Sequence, residues 1–360
     1  MRSVRPRAIA ACAAVLIFLT LLGMWPVTEA KNEAPKITLP PQIEWVGQLR
    51  NAADVTGKPS RLKWFLQKVV GLNDADKRMA SPYGIAIDTK GRVIVADTRG
   101  QVVHIFDAVG KKYRSFHAPD KNPFESPIAV ALDKENNIYV SDSQRSRVFV
   151  FRPDGKYLRE IGALSRNESI FKRATGLAID QERERLYVVD TVAMQVVILG
   201  LDGKVIKRVG HRGADPGQFN YPTQIVVSKD GSFWVTDSLN FRVQHFSPEG
   251  EVLEAFGRLG DDVTEFDKPK GVALDSKGDL LIVEGRYDRV QVYSPQGRMQ
   301  FYWGQTGRGE GQFFLPTGIA VDKNDNVYVA DSYNGRVEIF HVKPDGATQP
   351  AAGQSPEVKK

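Results

Sequence analysis

One pattern recurs six times along this chain at a spacing of about 47 residues. Each copy opens with a short apolar run that ends in a polar residue, at 84–88, 129–133, 176–180, 224–228, 271–275 and 318–322. A second run follows, centred on Asp97, Asp142, Asp190, Asp237, Glu284 and Asp331, at intervals of 45, 48, 47, 47 and 47 residues. A unit this short cannot enclose a core of its own, so neighbouring copies must bury it.

Four strand-like runs fill each copy, separated by Gly, Asp and Asn turn residues. In the fourth copy they fall at 224–227, 233–236, 242–246 and 251–256. The first run is apolar at nearly every position, which predicts a strand covered on both faces. It also alternates large and small side chains, as in Ile85-Ala86-Ile87, and strands crowded round a common axis need that alternation. Four-stranded repeats arranged radially make a propeller, so the expected fold is all-β with six four-stranded blades. Copies three to five end in a fourth run followed by Gly210, Gly257 or Gly304, whereas copy six stops at Phe340-His341. The missing run has a counterpart in Gln42-Ile43-Glu44-Trp45-Val46-Gly47. An N-terminal strand is therefore expected to complete blade six and remove an open sheet edge.

The sixth copy shows the motif in full: Phe313-Phe314-Leu315-Pro316, Gly318-Ile319-Ala320-Val321-Asp322, Tyr328-Val329-Ala330-Asp331-Ser332, then Asn334-Gly335-Arg336-Val337. The fourth copy has the related Phe219-x-x-Pro222. These elements resemble NHL repeats over about residues 80–341. The resemblance implies a six-bladed propeller with a central tunnel, like that of exported bacterial NHL-repeat proteins. It implies no single activity, because NHL propellers include protein-binding, RNA-binding and enzymatic members, and function has to be argued from sites.

The ends of the chain carry a different signal. Arg2, Arg5 and Arg7 precede an uncharged apolar run over 8–25, and Thr28-Glu29-Ala30 offers a small-residue cleavage site. This predicts a secretion signal or a retained membrane anchor, and so an exported protein, periplasmic or extracytoplasmic. The full chain carries a net charge of +6; without residues 1–30 it loses three arginines and one glutamate, leaving +4. Both signs are interspersed, which argues against nucleic acid as the partner. The only cysteine is Cys12, so a disulfide framework, a cysteine zinc site and covalent haem attachment are excluded. The expected layout is 1–30 signal peptide or N-terminal membrane anchor, 31–79 linker with the ring-closing strand (about 42–47) and a short amphipathic helix (about 60–72), 80–342 propeller, and 343–360 flexible tail.

Few residues suggest chemistry. The acid ending the second run is followed five residues later by Arg147, Arg242, Arg289 or Arg336 in four copies. A pair that recurs with the fold reads as turn-closing rather than catalytic. His104, His117, His211, His245 and His341 are dispersed, with no metal-ligand spacing. The Gly-rich stretch 304–311 lacks the Lys-Ser/Thr of a phosphate loop, and its counterpart 210–217 holds the same repeat position, so both read as connectors. No metal and no cofactor is called for. Blade five breaks the pattern. Glu284 replaces Asp, Gly285 replaces Ser or Thr, and Lys270 stands where three copies have Thr. Lys270 and Glu284 are therefore the candidates for a tunnel site, expected to pair near the axis.

The turns after the second run vary while the strands repeat, which is how a rigid scaffold carries recognition. Arg99, Met194, Asn240, Phe241, Arg286, Tyr287, Tyr333 and Asn334 are the partner-binding candidates, expected on one face. The expected function is a non-enzymatic protein-binding scaffold of the bacterial cell envelope, with an envelope protein as partner. Membrane contact through the N-terminal segment and a small-molecule ligand stay open. The alternative is a small-molecule enzyme of lyase or lactonase type at the tunnel.

Overall fold

The computed structural model describes residues 39–57, 78–165 and 168–343, all within one compact unit, Lys36–Lys360. Six four-stranded antiparallel sheets form a ring. Blade one runs from axis to rim as Pro82–Ile87, Val93–Asp97, Val102–Asp107 and Lys112–Phe116. The inner strands of blades two to five are Pro127–Leu132, Ala174–Asp180, Pro222–Val227 and Pro269–Leu274. Blade six comprises Pro316–Val321, Asn326–Asp331 and Arg336–Val342. Its outer strand is Ile43–Leu49, paired antiparallel from Ile43↔Val342 to Leu49↔Val337 with a register shift between Trp45 and Gly47. Inner strands touch their neighbours round the ring, and that of blade six lies against that of blade one.

The apolar core is divided into six seams, each between two blades. Ile94, Ile105, Phe149 and Phe151 fill the seam between blades one and two. Leu49, Val95, Phe106, Tyr328 and Val337 fill the closing seam between blades six and one. Burial of such side chains contributes about 1.5–3 kcal/mol each, so every blade depends on both neighbours. Burial is greatest in the middle of each blade: the second strands Val93–Asp97, Ile138–Asp142, Phe233–Asp237 and Leu280–Glu284, and the third strands Arg147–Phe151 and Arg289–Tyr293, are buried at every position. The inner strands, expected from their composition to be covered throughout, are partly accessible. They border the tunnel, which leaves one side without a neighbouring layer.

Inner strands meet so closely that a side chain would not fit at certain points. A Cβ on Gly176 would stand 2.7 Å from the Thr223 carbonyl oxygen, and one on Gly271 would stand 2.5 Å from that of Thr317. These glycines set the tunnel's width. The basic-then-apolar segment 1–30 with Cys12, the helix expected over 60–72 and the tail beyond 343 lie outside the described residues. No helix among the described residues is long and apolar enough to cross a membrane.

Candidate functional site

Each inner strand begins opposite the acid that ends the second strand: Pro82↔Asp97, Pro127↔Asp142, Ala174↔Asp190, Pro222↔Asp237, Pro269↔Glu284 and Pro316↔Asp331. All six turns from second to third strand therefore emerge at one end of the ring, together with the connectors that enter the inner strands. This end is the loop face.

The acids hold those connectors in place. Asp97 accepts N–H groups from Ala80, Ser81 and Gly100. Asp190 accepts them from Lys172, Arg173 and Ala193. Glu284 accepts them from Asp267, Lys268 and Arg286. A buried carboxylate is tolerated when backbone donors surround it. Burial raises the pKa of Asp237, Glu284 and Asp331 against the pull of their donors. At Asp97 burial is outweighed by the hydrogen bonds of His104 and three backbone N–H groups, and the pKa is lowered. The expected pairing with the arginine five residues on occurs in two of four blades, Asp237–Arg242 at 2.9 Å and Asp331–Arg336 at 2.7 Å. Arg147 pairs with Glu160 at 3.1 Å. Arg289 donates to the Asp262 carbonyl at 2.8 Å and lies 4.8 Å over the Tyr287 ring. The recurring acid is thus first a clamp on backbone N–H groups.

The clamp gives all six turns one conformation. The fourth residue after the acid has a left-handed backbone in every blade: Gln101, Ser146, Met194, Phe241, Asp288 and Gly335. The second residue after the acid is exposed in every blade: Arg99, Gln144, Val192, Leu239, Arg286 and Tyr333. Of the sequence candidates, Arg99, Arg286 and Tyr333 project from the loop face. The others turn inward. Met194 and Phe241 pack against the seams on either side of blade four. The Asn240 amide donates to Gly213 O and Asp237, and that of Asn334 to Gly307 O and Asp331. Tyr287 is partly buried. Val192 and Leu239, 46% and 49% exposed, were missed. The repeat register carried the signal, because both stand at the same step as Arg99 and Tyr333.

The tunnel is a cavity of about 200 Å³ lined by glycine and aliphatic residues, with Gln224 the one polar side chain among its described lining residues. At its loop-face end the second residues of the inner strands are Tyr83, Ile128, Thr175, Thr223, Lys270 and Thr317. Burial, helped by the nearby Tyr221 hydroxyl, pushes the Tyr83 phenol up to about 12. Arg173 donates to Tyr221 at 3.3 Å. Lys270 and Glu284 form no ion pair, contrary to expectation, because the Glu284 carboxylate is held by the three backbone N–H groups named above. Burial, followed by the charge of Lys268, lowers the pKa of Lys270; Glu284 and Asp288 act in the opposite direction.

The histidines do not converge. His104 is in the third strand of blade one, 2.7 Å from the Tyr113 hydroxyl. His245 stacks on Trp234 in blade four. Among the described residues no three His, Cys, Asp or Glu side chains are placed to hold a metal ion. The Gly-rich stretches 210–217 and 304–311 are connectors, bridged at Arg212↔Phe219 and Thr306↔Phe313.

The NHL repeat family model matches residues 124–151, 219–246 and 315–340, in blades two, four and six. No curated protein matches the sequence. Among solved structures, a Bacteroides thetaiotaomicron protein of unknown function is similar at 20% identity and TM-score 0.60, covering 83% of this chain and 77% of that one. A streptogramin B lyase is similar at 14% identity and TM-score 0.55, covering 73% and 94%. An auxiliary nutrient binding protein from Bacteroides thetaiotaomicron is similar at 11% identity and TM-score 0.57, covering 73% and 69%. At these identities the likeness is one of fold. With three repeats matched and six blades closed into a ring, this chain is an NHL-repeat β-propeller.

Proposed function

We propose that this propeller is a non-enzymatic scaffold that binds a protein partner through its loop face, in the cell envelope to which the basic-then-apolar N-terminal segment would direct it. The observation that carries the reading is the exposed ring of Arg99, Gln144, Val192, Leu239, Arg286 and Tyr333. One backbone position, held by the same clamp six times, presents six side chains of which five differ in type. Rigid presentation of varied side chains lowers the ordering cost of binding, and Arg and Tyr are enriched among residues that dominate binding energy. Leu315 and Tyr221, 40% and 37% exposed, add apolar surface on the same face.

The enzymatic alternative at the tunnel has less support. A lyase or lactonase needs polar groups aimed at one reacting centre; the cavity's described lining contributes Gln224 alone, and the threonine hydroxyls at its mouth are spent on Thr191, Ser238 and Ser332.

The test is a crosslinking capture in the native envelope with the triple variant Leu239→Ala, Arg286→Ala, Tyr333→Ala. A rim control, Leu253→Ala, changes a side chain that is 55% exposed on the outer strand of blade four. The reading expects one partner to be recovered with wild type and control and lost with the triple variant at unchanged melting temperature. Equal recovery with all three proteins overturns it.

A further inference from the structure

Blade five departs from the rest at two positions that touch each other. In every other blade the residue after the acid bears a hydroxyl: Thr98, Ser143, Thr191, Ser238 and Ser332. In four of them that hydroxyl donates to the carbonyl that opens the next blade. Thr98 reaches Pro127, Thr191 reaches Pro222 and Ser238 reaches Pro269, each at 2.7 Å, and Ser332 reaches Pro82 at 2.5 Å. Gly285 supplies no such donor, although a Cβ there would lie 3.3 Å from the Pro316 oxygen. Without it the ring forgoes one bond of a kind that contributes about 0.5–1.5 kcal/mol.

The same glycine makes room for Lys270. A Cβ at position 285 would stand 2.8 Å from Lys270 Cε and 3.0 Å from its Cδ. The threonines at the equivalent position, Thr175, Thr223 and Thr317, bond the hydroxyl after the acid at 2.7, 2.8 and 2.6 Å. Blade five therefore exchanges two mutually bonded hydroxyls for a partly buried amine. Among the described residues nothing accepts a hydrogen bond from Lys270 Nζ. The nearby acids are engaged: Glu284 by backbone N–H groups, and Asp288 by the Thr306 hydroxyl and the Leu315 N–H. Lys268 and Arg286 add positive charge on the exposed side, with Arg286 62% exposed and only 3.6 Å-paired to Asp267.

The other five blades show what ring closure requires, and none uses a lysine. The exchange gives up a ring-closing hydrogen bond, and Lys270 Nζ has no partner among the described residues while its side chain is only partly buried, so its use must come from what reaches it from solvent. We infer that Lys270, laid over Gly285, forms a site at the seam between blades five and six that binds an oxyanion, a carboxylate or phosphate, with Lys270 Nζ as the central donor and Lys268 and Arg286 at the rim. Burial and the charge of Lys268 lower the basicity of Lys270 although Glu284 and Asp288 oppose the fall, so a bound anion would restore it. The anion is either a free small molecule or an acidic group of the partner proposed above, and the site stands even if no protein docks on the loop face.

The test uses the full chain and limiting acylation at pH 8, read residue by residue by peptide mapping. Lys323, exposed on the opposite face, is the reference. Inorganic phosphate, acetate and a short polyglutamate peptide are compared at an ionic strength matched with chloride. Lys270 acylation is expected to fall about tenfold at roughly ten times the dissociation constant, with Lys323 unchanged. Protection by phosphate or acetate identifies a free anion; protection by the peptide alone identifies an acidic segment of a partner. Lys270→Met should melt no lower than wild type without anion and lose the anion's stabilising shift. Protection of Lys270 no greater than that of Lys323 in every arm overturns the inference, as does a lower melting temperature of Lys270→Met unaffected by anion. If that variant does not fold, the labelling of wild type still decides. Anion protection with partner capture intact in the triple variant would sink only the scaffold reading.

Discussion

Replacing Glu338 by glutamine should stabilise the protein above neutral pH and leave it unchanged near pH 4. Glu338 lies in the third strand of blade six and is fully buried. Burial pushes its pKa from 4.5 up to about 8, Arg336 opposes the rise and the like charge of Asp331 adds to it. Arg336 Nη2 comes within 3.0 Å of Glu338 Oε1, yet that oxygen accepts no hydrogen bond. The Arg336 protons go instead to Asp331, Gln48 and the carbonyls of Arg308, Gly309 and Gln312. Proximity without a hydrogen bond does not offset the loss of water, so burial wins. Between pH 4.5 and about 8 the folded chain keeps a proton that the unfolded chain has released. Stability contributed by the neutral acid is therefore complete below the lower value and declines as pH rises through the window. One proton changes stability by up to about 1.4 kcal/mol per pH unit. Over the window from 4.5 to about 8, in which the effect of Arg336 is already included, that amounts to about 5 kcal/mol.

Glutamine fits this place, because Gln244 and Gln291 hold it in blades four and five. Gln244 Oε1 accepts the Gly217 N–H at 2.9 Å, as Glu338 Oε2 accepts that of Gly311 at 3.0 Å. Urea unfolding at pH 4, 6, 7, 8 and 9 should show wild type and Glu338→Gln together at pH 4 and diverging steadily to pH 8. A gap independent of pH, or a variant weaker at every pH, would mean that Glu338 is ionised against Arg336 throughout, and the burial argument would fail.

Three further outcomes follow from the packing. Gly271→Ala should destabilise by about 3 kcal/mol, since its Cβ would stand 2.5 Å from the Thr317 carbonyl and force blades five and six apart; thermal denaturation measures this. Asp237→Ala should lose about 3–5 kcal/mol, because it removes the carboxylate from Arg242, which keeps only carbonyl acceptors, and leaves the Asn220 N–H and one Gln244 amide proton short of an acceptor; an unchanged urea midpoint would dismiss the clamp. Ile43→Ala should cost about 2–4 kcal/mol, as Ile43 is buried with Leu281, Trp303 and Phe340 in the seam between blades five and six, and cooperative unfolding of the whole ring should persist.

The sequence carried the strands, the six-fold count and the ring-closing segment because each depends on periodicity and on apolar patterning. The turns were less legible. Met194 and Phe241 looked like binding residues by type, but a left-handed backbone at their step turns both into the blade. Val192 and Leu239 looked like ordinary apolar residues, yet their step faces solvent. The spacing reads as a turn-closing ion pair or hydrogen bond between the acid and the residue five positions on; the acid's principal partners are backbone N–H groups about 17 residues earlier in the chain, which no local spacing reveals.

By itself, then, the amino-acid order determined how many blades form, because a period of about 47 residues leaves each unit's apolar faces to be covered by its neighbours. It also marked blade five as different. Only the tertiary structure decided what that difference is. Glu284 could be told from a partner for Lys270 only once its oxygens were seen holding three backbone N–H groups, and Lys270 could be seen as unpartnered only once Gly285 was found beneath it. Side-chain direction and hydrogen-bond satisfaction depend on groups brought together across blades, and that juxtaposition exists only in the closed ring.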